Sequence, residues 1–228
     1  MSNIRKAVIF AVLFLCITVY SFGDIFYSFS LGINRLNEQY LDENYGRELN
    51  GLSFVMSLNY YQEKNPLGWF IRTSLGGLTA SYEWKDNDIE SIYFDSSTDL
   101  SLSLGPSYAF KIGSIIYIPI SIGPVISSYR EETFDYYYNN ANGFYDAVNM
   151  GALLDAGIII NPARRFIITN SIIASYDFAR WERGNMTTSH RDIHSGNFKY
   201  HNYSAFNIGL YFGLGVRLGG ERHINYNK

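Results

Sequence analysis

The residues able to do chemistry in this 228-residue chain are few, and most of the nucleophile and ligand types gather in its C-terminal third. His190, His194, Ser195 and His201 occupy one polar stretch, a set that could support hydrolysis by a serine whose proton passes to an imidazole. His190 and His194 stand four apart, the spacing at which two imidazoles on a helix share a metal, but Gly184, Asp192 and Gly196 around them read as loop and no metal is expected. Glu83, Asp86, Asp88 and Glu90 form an acidic stretch without the turn glycine of a calcium loop, and read as a solvated face. A net charge of −3 with no Lys/Arg cluster leaves nucleic-acid binding without an electrostatic source.

Any such chemistry needs elements to hold it, and the first of these is an address. Arg5 and Lys6 precede the apolar run Ala7 to Val19, and Ser21 and Gly23 put small residues before Asp24. Residues 1–23 therefore read as a secretory signal peptide, because the run is shorter than the roughly 20 residues of a spanning helix. The single cysteine, Cys16, lies inside that run, so the exported chain has no disulfide to draw on.

From residue 24 to 228 the dominant signal is alternation with period two, the mark of strands. Tyr27, Phe29, Leu31 and Ile33 alternate with Ser28, Ser30, Gly32 and Asn34, and Leu100, Leu102 and Leu104 alternate with Ser101, Ser103 and Gly105. Eight segments of this kind can be counted, the last running from Phe206 to Leu218, and the seventh, Phe166 to Tyr176, leaves its facing open. Long connections over 35–50, 83–99, 130–147 and 177–202 alternate with short ones, and residues 219–228 form a tail. The expected fold is all-β, an eight-stranded antiparallel up-and-down transmembrane β-barrel whose termini share the short-turn end.

The polar face tells which side looks outward. It carries Ser, Gly and Asn rather than the Lys, Glu and Thr of a water-facing strand, which suits the crowded inside of a narrow barrel. The charges expected in strand cores are Arg72, Lys111, Asp155 and Arg217, all on that face. Arg72 and Asp155 fall at similar height on nearly opposite walls, either joined as a salt bridge that plugs the lumen or each solvated by lumenal water. Aromatic residues at strand ends, among them Tyr27, Trp69, Tyr108, Tyr129, Phe166, Tyr176 and Tyr203, are expected in two interfacial girdles. Pro106, Pro119 and Pro124 each withdraw a ladder donor, and facing places Pro106 near Pro119 across the fourth hairpin, as a lateral gap or as β-bulges.

In this layout the exported chain resembles the small eight-stranded outer-membrane barrels of the OmpX and OmpA membrane-domain type. Asn207 to Leu214 looks like the final-strand signal read by the barrel-assembly machinery, although residues 219–228 follow where many members end on an aromatic. The prolines resemble the weakened strand pairs of the outer-membrane lipid A palmitoyltransferase, and His194-Ser195-Gly196-Asn197 resembles the His-x-Ser-Asn run of the lipid A deacylase with its Ser one position early. The resemblance implies a monomer in outer-membrane lipid, with termini in the periplasm, no cofactor and no catalysis. Its long loops would be extracellular, and the Tyr/Asn-rich segment with Tyr136, Tyr137, Tyr138, Phe144 and Tyr145 would meet a surface ligand in adhesion or envelope integrity. Passage of small solutes or lipid, as in OmpW-like barrels, is the second expectation, and a lipid A modifying enzyme the third.

Overall fold

Backbone N–H and C=O groups find no partner in hydrocarbon, so strands that enter it must pair on both edges and the sheet must close. The computed structural model has that form; it describes residues 23–41, 45–62, 65–86, 89–113, 115–135, 140–163, 165–187 and 192–219. The strands are β1 (Gly23–Tyr40), β2 (Tyr45–Gln62), β3 (Leu67–Asp86), β4 (Ile89–Ile112), β5 (Ile116–Asp135), β6 (Asn140–Ile160), β7 (Phe166–Thr187), β8 (Asp192–His201) and β9 (Tyr203–Leu218). All neighbours are antiparallel, in the order β6-β5-β4-β3-β2-β1-β9-β7, and the β6–β7 pairing closes the ring. Because β7 pairs with both β8 and β9 along one line, these two form a single stave interrupted at Asn202, and the barrel has eight staves. Residues 1–22, most of the stretch expected as a signal peptide, and the tail beyond Gly219 lie outside the described residues, while Gly23 pairs with Gln62.

The connections expected to be long loops are for the most part paired strand. The β1–β2 ladder continues to Tyr40 and Tyr45, β3–β4 to Asp86 and Ile89, and β5–β6 to Asp135 and Asn140. Tyr, Thr, Ser and Ile sustain an antiparallel ladder in water as well as in lipid, so a hairpin need not end where the bilayer does. His194 and Ser195, expected in a loop, accordingly stand in strand β8 opposite Asn185 and Gly184.

The chemical character of the two faces reverses along each stave. Phe29, Leu31, Ile33, Leu52, Phe54, Leu100, Leu102, Leu104, Ile122, Ile126, Leu154, Ile208, Leu210 and Phe212 are exposed around the outside, while Ser28, Ser30, Ser53, Ser57, Ser103 and Ser121 are buried within. Nearer the rim remote from the termini the outward positions turn polar, with Arg35, Asn37, Gln39, Asn50, Thr79, Thr98 and Arg130. There the inward positions turn apolar, as Leu36, Leu49, Leu78, Tyr129, Ala147, Tyr203 and Ala205 cluster across the lumen. The outside thus changes solvent from lipid to water, and the inside changes from polar filling to an ordinary core. Tyr129 and Tyr203, expected in a girdle, are buried inside at 2% and 1% exposure, whereas Tyr27, Trp69, Tyr108, Phe166 and Tyr176 face out.

The seventh segment, Phe166 to Tyr176, reads as ambiguous because polar residues stand on both its faces, Asn170 on one and Thr169 with Ser171 on the other, and the structure gives it one facing with a phase change just beyond it. Ile167, Thr169 and Ile173 point inward and Asn170 outward, but Met150 pairs with Ala179 while Gly151 pairs with Asp177, so Phe178 is an extra residue. This bulge shifts the phase and brings Arg180 and Glu182 into the lumen, both buried. Deleting Phe178 alone would leave Arg180 inward, two positions after the inward Asp177, whereas deleting Phe178 and Ala179 together places Arg180 directly after Asp177 and turns it outward. Urea unfolding in liposomes, read by heat-modifiable gel mobility, should then show a loss of about 3–5 kcal/mol, the usual effect of breaking a buried ion pair; an unchanged midpoint would contradict the role of the bulge.

Candidate functional site

The lumen holds its charges in layers, each set by which strands reach that height. At the terminal end Asp24 of β1 accepts hydrogen bonds from Arg217 Nη2 at 2.6 Å, Arg217 Nε at 3.0 Å and the Tyr117 hydroxyl at 3.0 Å, with Lys111 Nζ at 3.7 Å. Lys111 and Arg217, two of the expected lumenal charges, therefore meet at a carboxylate that sequence reading assigned to no site. Phe26, Tyr61, Ala109 and Ile167, none with measurable exposure, fill the section around them. Tyr61 and Ser121 both join Ser107 through hydroxyl pairs at 2.7 Å.

The middle layer is the pair on opposite walls. Arg72 Nη2 donates to Asp155 Oδ2 at 2.6 Å, the two side chains being 6% and 3% exposed. β3 and β6 are three staves apart, so this contact crosses the lumen. Val55, Phe70, Val125, Leu153, Ile173 and Tyr211 pack at this level. A methyl at Gly32 would collide with the Tyr211 ring, so a glycine there makes room for the largest side chain of the layer.

The outermost layer centres on Arg180, wholly buried. Its guanidinium stands 4.8 Å from the Tyr129 ring and 4.7 Å from the Tyr203 ring, with Glu38 at 2.7 Å and Glu182 at 2.5 Å. The Tyr203 hydroxyl donates to Glu38 at 2.8 Å, the Tyr129 hydroxyl to Glu131 at 2.8 Å, and His201 Nε2 lies 3.7 Å from Glu182. A buried cation held between two aromatic faces and two carboxylates is fixed in direction as well as charge. None of Glu38, Asp99, Glu131, Asp177, Arg180 or Glu182 was expected here, since all but Asp99 and Asp177 lay in stretches read as loop interior and those two sat at loop boundaries. The signal was present as phase: Asn34, Leu36 and Glu38 keep the parity of Ser28 and Ser30, and Glu131 keeps that of Ser127.

The three prolines fall where pairing stops. Ala109 donates its N–H to the Pro66 carbonyl at 2.9 Å, so odd-numbered residues of this part of β4 face β3 and Leu104, Pro106 and Tyr108 face β5. Register then sets Pro106 against Ile122 and Leu104 against Pro124, and the β4–β5 ladder lapses between Ser103–Val125 and Ser107–Ser121. Pro119 is not beside Pro106 as expected; it stands opposite Ala109 and interrupts the other edge, where β5–β6 pairing jumps from Tyr117–Ile159 to Ile120–Ala156. The backbones nevertheless stay close at the lapse, because a methyl added to Gly105 would lie 2.9 Å from the Gly123 Cα.

Of the aromatic residues expected to meet a surface ligand, Phe144 and Tyr145 stand in β6 opposite Glu132 and Glu131, while Tyr136, Tyr137 and Tyr138 lie outside the described residues, as does His190.

Two substitutions probe these arrangements. Arg72→Ala strands a buried carboxylate and should cost about 3–5 kcal/mol in urea unfolding, whereas Arg72→Met with Asp155→Leu should be no less stable than the parent; equal effects of single and double variants would mean that the pair is not coupled. Pro106→Ala with Pro124→Ala returns two donors to one seam and should raise stability by about 1 kcal/mol per recovered bond in the same assay.

No protein-family model matches the sequence, and no curated protein does. Among solved structures the chain is similar to the outer membrane protein OprG from Pseudomonas aeruginosa, with a TM-score of 0.55 at 8% identity over 88% of this chain and 97% of OprG. Lower-scoring similarities are to Ail, the attachment invasion locus protein of Yersinia pestis (TM-score 0.42, 14% identity, 86% of this chain and 98% of that one), and to the outer membrane protease OmpT from Escherichia coli (0.45, 9%, 86% and 96%). Identities this low speak to architecture alone. Together with the apolar belt and the polar, closed interior, the likeness to OprG gives this chain the fold of the small outer-membrane β-barrels.

Proposed function

We propose that this protein is a closed outer-membrane barrel that acts through its outer rim, in surface contact or envelope integrity, with no catalytic step of its own. The observation that carries this reading is the filled lumen: three cross-barrel layers occupy it, and the void between the upper two measures about 50 Å³, room for a few water molecules. Such an interior favours stability over conduction. What remains for interaction is the part of the staves that rises past the lipid belt, whose outward side chains are polar and charged. Arg35 hydrogen-bonds Glu48 there and holds its carboxyl below the usual range, and Arg183 and Arg130 both approach Asp146, at 3.3 and 4.0 Å. The Tyr/Asn-rich sequence between β5 and β6 supplies aromatic area with adaptable polar groups. In this reading the rim is extracellular and the termini are periplasmic.

A second reading, lateral passage of a small apolar molecule through the β4–β5 seam, is favoured by the lapse in pairing at Pro106 and Pro124. Two measurements separate the readings, one on the refolded protein and one on intact cells. Planar bilayers in molar salt should show no stepwise conductance, and Pro106→Ala with Pro124→Ala should leave uptake of apolar solutes by intact cells unchanged. Channel steps, or uptake that falls in that variant, would favour passage and overturn the closed-barrel reading. Replacing residues 136–145 with a Gly/Ser segment should preserve heat-modifiable mobility while removing whatever surface contact the parent cells make.

A further inference from the structure

The void between the Arg72 and Arg180 layers has an unusual lining. Asp99 of β4 and Asp177 of β7 both border it, and among the described residues neither makes an ion pair. Of the two nearby arginines, Arg72, which also lines the chamber, pairs through Nη2 with Asp155, and Arg180 pairs with Glu38 and Glu182 above. Two carboxylates thus share a small chamber without a cation in contact.

A second, independent feature points the same way. Asn34 and Asn149, 6% and 4% exposed, border the chamber with side-chain oxygens that no group donates to, and the Asn207 side-chain oxygen is in the same state. The Asn149 amide nitrogen is 3.4 Å from Asp177 Oδ2 and donates to it, which leaves its oxygen free to act as a ligand. Burying an unpaired amide oxygen costs free energy, and three at one height on β1, β6 and β9 are a recurrent cost that a bound group would remove. While Arg72 at the same lining keeps Nε and Nη1 without a hydrogen-bond partner, the free atoms of these acids and amides are all oxygens, some charged and some neutral, with Ser53, Ser101 and Ser127 hydroxyls beside them. This is the donor chemistry of a hard cation. Sulfur and imidazole, which draw softer metals, are absent from the lining.

We propose that the upper lumen binds a divalent cation, calcium by its ligand chemistry, between Asp99 and Asp177 with the side-chain oxygens of Asn34, Asn149 and Asn207. A volume near 50 Å³ takes such an ion with one or two waters completing its shell. The ion would tie β1, β4, β6, β7 and β9 together at the level where the outside changes from lipid to water.

The full chain tests this after refolding into detergent from urea, in chelated buffer with or without Ca²⁺, because a closed lumen gives the ion access during folding. Calcium in the millimolar range should raise the urea midpoint saturably, and potassium at equal ionic strength should not. Tb³⁺, an oxygen-seeking surrogate, should give tyrosine-sensitised emission that Ca²⁺ displaces. Asp99→Asn with Asp177→Asn should abolish both responses. Asn149→Asp adds a ligand charge and should lower the half-saturating Ca²⁺ concentration by about tenfold, which keeps the test open if the double variant fails to refold. A midpoint indifferent to Ca²⁺, or a response that survives in the double variant with Asn149→Asp inert, would mean that the chamber holds water only.

Discussion

Everything in this molecule follows from one constraint, that a peptide group in hydrocarbon must be bonded within the protein. Strands satisfy it only in a closed ring, and eight staves fix a ring too narrow to leave open and too wide to be filled by backbone alone. The lumen is therefore a core in its own right, and its contents must be polar enough for the sequence that lipid outside imposes on the strands. Serine pairs such as Ser28–Ser57 and Ser74–Ser101, at 2.8 and 2.6 Å, are the small change of that filling, and the buried ion pairs are its cross-beams.

Cross-beams of this kind are expensive in isolation and effective in company. A guanidinium taken out of water loses several kcal/mol of solvation, and the carboxylates and aromatic faces around Arg180 return it only because they come from separate staves fixed by the ring. Arg180 draws on β1, β5, β7 and β9, and Arg72 bridges β3 to β6. Closure of the sheet makes the charge networks possible, and the networks in turn pin staves that are not neighbours in the ladder.

The prolines show the same logic at the seam. Three withdrawn donors are tolerated in β4 and β5 because glycines at 105 and 123 let the chains remain in contact where bonds lapse. Function inherits this division. In the proposed function the filled interior leaves interaction to the rim, where the staves emerge from lipid and take on the polar exterior of an ordinary protein.

Strand number, antiparallel order, the placement of termini with the short turns and the outward belt were legible from residue types, since period two and the hydropathy of one face are local properties. The nearly opposite positions of Arg72 and Asp155 were legible too, because strand rise converts sequence distance into height. What the tertiary structure decided lies beyond the bilayer or across a change of phase. Stretches read as loops are strand, because a ladder ends where its turn is formed and not where the apolar pattern fades. Tyr129 and Tyr203 turn inward, since above the lipid the solvent outside is water and the apolar side of a strand reverses. Arg180 and Glu182 enter the lumen through one extra residue at Phe178, a bulge that propensity does not announce because it is set by the register of two neighbouring strands. The meeting of Asp99, Asp177 and three asparagines is likewise a product of ring closure: they come from five staves spread along the chain, and only the circumference brings them to one chamber.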